Sequence, residues 1–299
     1  MPLPIRWRYK LDRWRESFEA KFRSQPKVAR PRLCPACSSL VGATASKCHQ
    51  CGASLHFSLA AASRSLSGLL PTESPVTYCV LGINMLLFIV ALLSTMRVSE
   101  GFNLIGGIDG SVLSRLGASR IDAILAGQWW RLVMAIFLHG SILHIAMNTW
   151  VLMDIGPQVE ELYGSARFLF LYVLTGAFGY VPSALSGHFS VGASGALMGL
   201  IGLMIAVTSR RGGAYMQMMR AQLIRWVVYI FVLGILISGI DNAAHLGGLA
   251  AGFVLGRLFA DREPMNAAER TRAYALGWMA GLVVVASFAL MLMNYFRSA

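Results

Sequence analysis

The chain has 299 residues, 56% of them hydrophobic and 13% charged, with 26 Lys and Arg against 14 Asp and Glu. That balance excludes an ordinary soluble domain and leaves room for several membrane spans, because a ~30 Å hydrocarbon core takes about 20 apolar residues per helix. The formal charge of +12 is unevenly placed: before residue 73, twelve basic residues stand against Asp12, Glu16 and Glu19. A basic stretch can bind nucleic acid, but ahead of a membrane domain it more simply marks the cytoplasmic side, and no nucleic-acid partner is expected.

Residues 1–30 form a basic segment without an uninterrupted apolar run, so no cleavable signal peptide is expected. Trp7, Leu11, Trp14, Phe18 and Phe22 fall at near-helical spacing among Arg and Lys. This is the pattern of an amphipathic helix on an anionic membrane surface. A helix packed on the next domain, or a basic tail with chance aromatics, would read the same way.

Residues 31–56 carry Cys34-Pro-Ala-Cys37 and Cys48-His-Gln-Cys51, two CxxC knuckles ten residues apart. Each knuckle presents two sulfurs to one metal, so the four thiolates predict a closed, structural Zn²⁺ site with no catalytic water. The arrangement resembles the small zinc ribbons appended to bacterial membrane proteins. A reducing cytoplasm disfavours disulfides, and two matched knuckles disfavour a single redox pair. With four sulfurs present, His49 and His56 read as bystanders. Residues 57–74, rich in Ser, Ala, Gly and Leu, read as a linker.

The membrane region is predicted as an all-α polytopic protein. Its core occupies 75–260, followed over 261–299 by a linker and a further helix. The spans are placed at Val76–Thr95, Ile142–Val159, Ala166–Leu185, Ser194–Ser209, Leu223–Gly239, Asn242–Ala260 and Ala273–Tyr295, seven in all. Cys79, in the first, is expected to be inert packing. Met96–His139 reads as a long loop.

Charge sets the orientation. The N-terminal region, the fourth connection (Arg210, Arg211, Arg220, Arg225) and the sixth (Arg262, Arg270, Arg272) are basic, whereas Ser186–Ala193 and Ile240–Asp241 carry no Lys or Arg. The N-terminus is therefore expected in the cytoplasm and the C-terminus outside. Ser194 and His245 would then both begin spans that descend from the outer side.

Those two spans carry the chemistry. Gly195, Gly199, Gly202 and Ala206 recur every three or four residues, and Gly248, Gly252 and Gly256 every four. Small faces of this kind let helices approach closely. The pair would bring the Ser194 hydroxyl within reach of the His245 imidazole, as nucleophile and base. The Ser194 amide, at a helix start, is a candidate oxyanion donor. His144 and Asn148, four apart on one face of the second span, are others. His144 reads equally as a satisfied histidine near the interface, and Asn148 as an interhelical hydrogen-bonding residue. Asp241, four residues before His245, could orient it, but its place at a helix start favours an N-cap, so a Ser–His dyad is preferred to a triad. Glu160 and Glu161 lie at the opposite end and read as a solvated helix end or a bond to the start of the third span. Gly192-x-Ser194 is not a nucleophile elbow, since Ala196 replaces the second glycine, and no phosphate-binding loop is present.

Trp130-Arg131, His144-Ile-Ala-Met-Asn148, Gly192-Ala-Ser194-Gly195 and Asn242-Ala-Ala-His245 together resemble the rhomboid intramembrane serine proteases, over roughly Pro75–Phe296. The resemblance implies a six-helix bundle plus a seventh, C-terminal helix. It implies Ser194 as nucleophile and His245 as general base, with His144, Asn148 and the Ser194 amide as the oxyanion hole. Gly192 would keep the approach open. It further implies entry of a transmembrane substrate past the fifth helix and an outer cap loop, cleavage near the substrate's outer end, and no cofactor in the reaction. Many members have a Tyr where this chain has Met198. The implied setting is a bacterial-type inner membrane, with transmembrane proteins and the lipid bilayer as partners and a cytoplasmic partner for the ribbon. The alternative is a non-catalytic rhomboid-like protein that binds membrane proteins or serves their quality control.

Overall fold

The computed structural model describes residues 31–34, 39–50, 55, 73–98 and 107–297. The chain divides into two compact units, 1–69 and 70–299. In the first, β1 (Arg32–Leu33) pairs antiparallel with β2 (Leu40–Val41), Arg32 opposite Val41. Cys34, Val41, Cys48 and Leu55 are buried together beneath this hairpin. The amphipathic stretch Trp7–Phe22 lies outside the described residues, as do Cys37, Cys51 and His56; His49 is exposed.

The second unit is helical: α1 (Pro75–Val98), α2 (Gly110–Leu116), α3 (Ile121–Leu125), α4 (Arg131–Met134), a 3-10 turn (Ala135–Phe137), α5 (Ile142–Tyr163), α6 (Ser165–Leu185), α7 (Ser194–Arg210), α8 (Ala214–Leu236), α9 (Asn242–Leu258) and α10 (Ala267–Arg297). Four helices, α1, α6, α8 and α10, are long and apolar enough to cross a membrane. Together α4, the 3-10 turn and α5 make a fifth, broken by an 89° bend. The protein is a multi-pass membrane protein. Of the remaining helices, α2 and α3 are short and α7 and α9 have 17 residues each.

Within the stretch read as a long loop, 110–137 is instead part of the core. Val112, Leu113, Leu116, Trp130, Val133, Met134 and Phe137 are all buried. Its short helices fall below the length at which hydropathy registers a span. Arg131 staples them: its guanidinium donates to the carbonyls of Ser114 (2.8 Å) and Ala118 (3.0 Å) and lies over the Trp130 ring. The fifth span begins at Ala214, nine residues earlier than hydropathy placed it. Arg220 and Arg225 are thus helical, as the high helix propensity of the surrounding Met, Gln, Arg and Ala allows. Cys79 is exposed on α1, contrary to the packing expected of it.

At one end of the bundle Glu160 is buried rather than solvated, and it bonds to the start of the third span as the sequence allowed. Its carboxylate accepts from the Val76 and Thr77 amides, the Thr77 hydroxyl and Ser165 Oγ, so it caps α1 and ties it to α5 and α6. At the same end, Arg211 Nε donates to Asp261 Oδ2 at 2.7 Å, joining the end of α7 to the connection after α9.

Candidate active site

The glycine faces read from the sequence meet. A Cβ on Gly248 would overlap the Gly195 carbonyl oxygen, and one on Gly252 would overlap that of Gly199. Helices α7 and α9 therefore run backbone against backbone, an approach that only glycine permits. A third face, not recognised in the sequence, completes the contact. A Cβ on Gly179 of α6 would sit 2.8 Å from the Ala244 carbonyl oxygen and 3.4 Å from Gly195 Cα. These contacts place Gly195 beside Ala244, and hence Ser194 and His245 at the same end of adjoining helices.

Each helix start is prepared differently. Ser141 caps α5, its Oγ accepting from His144 N at 3.2 Å. Asp241 caps α9, with Oδ1 accepting from Ala244 N at 3.0 Å, and Oδ2 accepts from Ser183 Oγ. At α7, no side chain caps the amides that follow Ala193. Uncapped N–H groups at a helix start carry partial positive charge and are available to an anion.

The segment before α7 is tightly held. Ser190 exchanges backbone hydrogen bonds with Ser119 (2.9 and 3.1 Å), Gly192 N donates to Ala135 O at 2.9 Å, and the buried Tyr180 hydroxyl donates to Gly192 O at 2.6 Å. Tyr180 was not picked out from the sequence, because one tyrosine in an apolar span carries no local signal. Gly192 adopts φ +131°. A Cβ there would fall 2.6 Å from His144 Nε2 and 3.7 Å from Ser194 Oγ, so only the absence of a side chain lets the His144 ring pack this closely beside the Ser194 hydroxyl. The Gly140 amide donates to His144 Nδ1 at 3.5 Å. That bond assigns the ring hydrogen to Nε2, the nitrogen that faces Gly192.

The structure thus brings together Ser194, Gly192 and His144 directly, with His245 on the adjoining helix. Asn148 is buried, and its Nδ2 donates to His144 O at 3.0 Å within its own helix rather than between helices. Among the described residues no hydrogen bond joins Ser194 to His245. Such bonds are often formed only once substrate binds. Asp241 is occupied by its cap, Ser183 and His188, while His245 Nδ1 is buried without a partner. The ring that flanks His245 is Phe231 of α8, edge-on at 6.3 Å between centroids, another residue the sequence did not single out. Met198 is buried in α7.

Fold and site together define a polytopic membrane protein with a polar cluster among short, glycine-packed helices. A family model for the rhomboid domain matches residues 126–262. The chain is 36% identical over 149 residues to the rhomboid protease GluP of Bacillus subtilis, covering 50% of this chain and 29% of that protein. It is 31% identical over 213 residues to RHOMBOID-like protein 6, mitochondrial, of Arabidopsis thaliana, covering 64% and 68%. To the rhomboid-type serine protease 2 of Emericella nidulans it is 36% identical over 170 residues, covering 55% and 33%. Of the first and third of these relatives, then, it spans about a third of the length. The chain belongs to the rhomboid family.

Proposed function

We propose that this protein is an intramembrane serine endopeptidase that cleaves transmembrane proteins near the outer end of a span. The observation that carries the reading is the convergence of Ser194 Oγ and His144 Nε2 on the bare backbone of Gly192, at the uncapped start of α7. Ser194 Oγ attacks the scissile carbonyl carbon while His245 takes its proton; His245 then passes that proton to the departing amine. The negative oxygen of the tetrahedral intermediate is met by the Ser194 amide, His144 Nε2–H and the Asn148 side-chain amide. Water, its proton taken by His245 and then passed to the departing Ser194 Oγ, releases the acyl group as the new carboxyl end and restores the serine hydroxyl. With the Asp241 carboxylate engaged elsewhere and His245 Nδ1 unpartnered, a dyad accounts for the site better than a triad. At about 1.5 Å per residue the 17-residue α7 and α9 are about 25 Å long, shorter than a bilayer core, so a recess at their starts can hold water.

Substrate is proposed to enter past α8. In the charge pattern the N-terminus lies in the cytoplasm and the recess opens outward. Cys34, Cys37, Cys48 and Cys51 are proposed to hold one structural Zn²⁺. Two observations fit: among the described residues Cys34 and Cys48 are buried together in a small cluster with Val41 and Leu55, and Gln50 N donates to Cys48 Sγ at 3.4 Å. Among the described residues, no three His, Cys, Asp or Glu are gathered into a metal site. The ribbon is proposed to dock a cytoplasmic partner rather than take part in cleavage.

The test is cleavage of a single-span substrate in proteoliposomes. Wild type is expected to cut it and Ser194→Ala to leave it intact at equal reconstitution. Equal cleavage by both would end the protease reading in favour of membrane-protein binding.

A further inference from the structure

Residues Ala135–Gly140 serve the site at both ends. At one end Ala135 O accepts the Gly192 amide (2.9 Å), with the Tyr180 hydroxyl that donates to Gly192 O lying 3.2 Å away. At the other, the Gly140 amide reaches His144 Nδ1. Between them Ile136, Phe137 and Leu138 are at most 1% exposed, so the stretch cannot shift alone. Its height in the bundle sets both where the Gly192 peptide lies and where His144 Nε2 points.

That height is fixed from behind by the C-terminal helix. The Phe137 ring rests on Phe288 of α10, 5.9 Å between centroids, and on Tyr172 of α6 at 6.4 Å. Around Phe288, Ser287 is fully buried and Met291 is 4% exposed. Further along, Asn294 Nδ2 donates to Arg115 O at 3.2 Å, and the Arg115 guanidinium lies over the Tyr295 ring at 4.8 Å. These contacts fix α2, whose Ser114 carbonyl in turn receives Arg131 from the start of α4. The helix therefore grips the α2–α4 region at two levels.

We propose that α10 is a positioning element of the active site, and that Phe288, through Phe137, holds the 135–140 segment at the register that seats His144 Nε2 against Gly192, beside Ser194 Oγ. The proposal builds on the protease reading for its catalytic consequence, while its geometric content stands apart from activity. Interiors are close-packed, and a ring removed behind Phe137 leaves a void into which the segment relaxes. A displacement of about 1 Å at a reacting group can cost up to about 100-fold in rate.

The experiment is ¹⁵N spectroscopy of histidine-labelled full-length protein, with the His144 signals assigned by loss in His144→Asn. Ser194 labelling by a fluorophosphonate is followed alongside. Wild type is expected to show one His144 tautomer, with the hydrogen on Nε2. Phe288→Ala is expected to give averaged His144 signals and about a tenfold lower maximal labelling rate, at unchanged half-saturation by the probe. Phe288→Leu is expected to restore most of both, and Phe288→Val carries the same test should Phe288→Ala not fold. Gly277→Ala, whose Cβ would press on Ala166 at the far end of α10, is the control for lost helix packing and is expected to leave His144 unchanged. Unaltered His144 signals in a folded Phe288 variant, or equal changes in Gly277→Ala, would overturn the proposal. Altered His144 signals beside a wild type that never labels would support the positioning role and count against the protease reading alone.

Discussion

Helices α7 and α8 are consecutive yet packed in opposite ways. Thirteen of the 17 residues of α7 are buried, against Leu223 alone among the 23 of α8. Glycine explains much of the contrast. Along α7 it lets α9 and α6 approach to backbone contact, so the helix that starts with Ser194 is held on several sides. Along α8, bulky Tyr229, Val232, Leu233 and Leu236 face outward, and one glycine, Gly234, meets a neighbour, the Asn242 side chain of α9. The nucleophile is carried by the rigid element, as a preorganised site requires. The adjacent wall, which supplies Phe231 to His245, is the loosely held one.

The contrast can be broken most severely on the rigid side. Gly252→Leu would drive a side chain into the Gly199 carbonyl, which cannot rotate away. The expected cost is about 3 kcal/mol or more, read as a large fall in the unfolding midpoint and loss of the Ser194 recess. A midpoint near wild type would show that the α7–α9 approach is not needed. Gly192→Ala tests the placing of His144. Its Cβ meets His144 Nε2 at 2.6 Å and would push the ring away from Ser194, so turnover is expected to fall about 100-fold with a smaller loss of stability than Gly252→Leu. Retained turnover would mean that the close approach of His144 to Gly192 is not needed. At the loose wall the effect should vanish: Ile235 is 79% exposed, and Ile235→Ala is expected to change stability by no more than about 0.5 kcal/mol in thermal unfolding.

The rigid half was also the more legible in sequence. Four-residue glycine spacing in two apolar helices is a periodic signal, and it predicted which faces meet and which end carries Ser194 and His245. Long apolar runs likewise placed α1, α5 and α6 to within a few residues, and the start of α9. What sequence did not reveal depended on contacts distant along the chain. Tyr180 holds Gly192, 12 residues away, through a carbonyl, and Glu160 caps a helix 84 residues before it. The segments between α1 and α5 are individually too short to read as buried helices, and contacts such as the Arg131 hydrogen bonds gather them. Phe231 reaches His245 because Gly234, one turn further along α8, admits Asn242, whose Nδ2 donates to Phe231 O at 3.2 Å.

The most direct measurement of the central claim is labelling of detergent-solubilised protein by a fluorescent fluorophosphonate, with Ser194→Ala and His245→Ala beside the wild type. The account predicts labelling of wild type and its loss in both variants, because Ser194 becomes nucleophilic only when the neighbouring helix supplies a base. Labelling that persists in His245→Ala at the wild-type rate would contradict it.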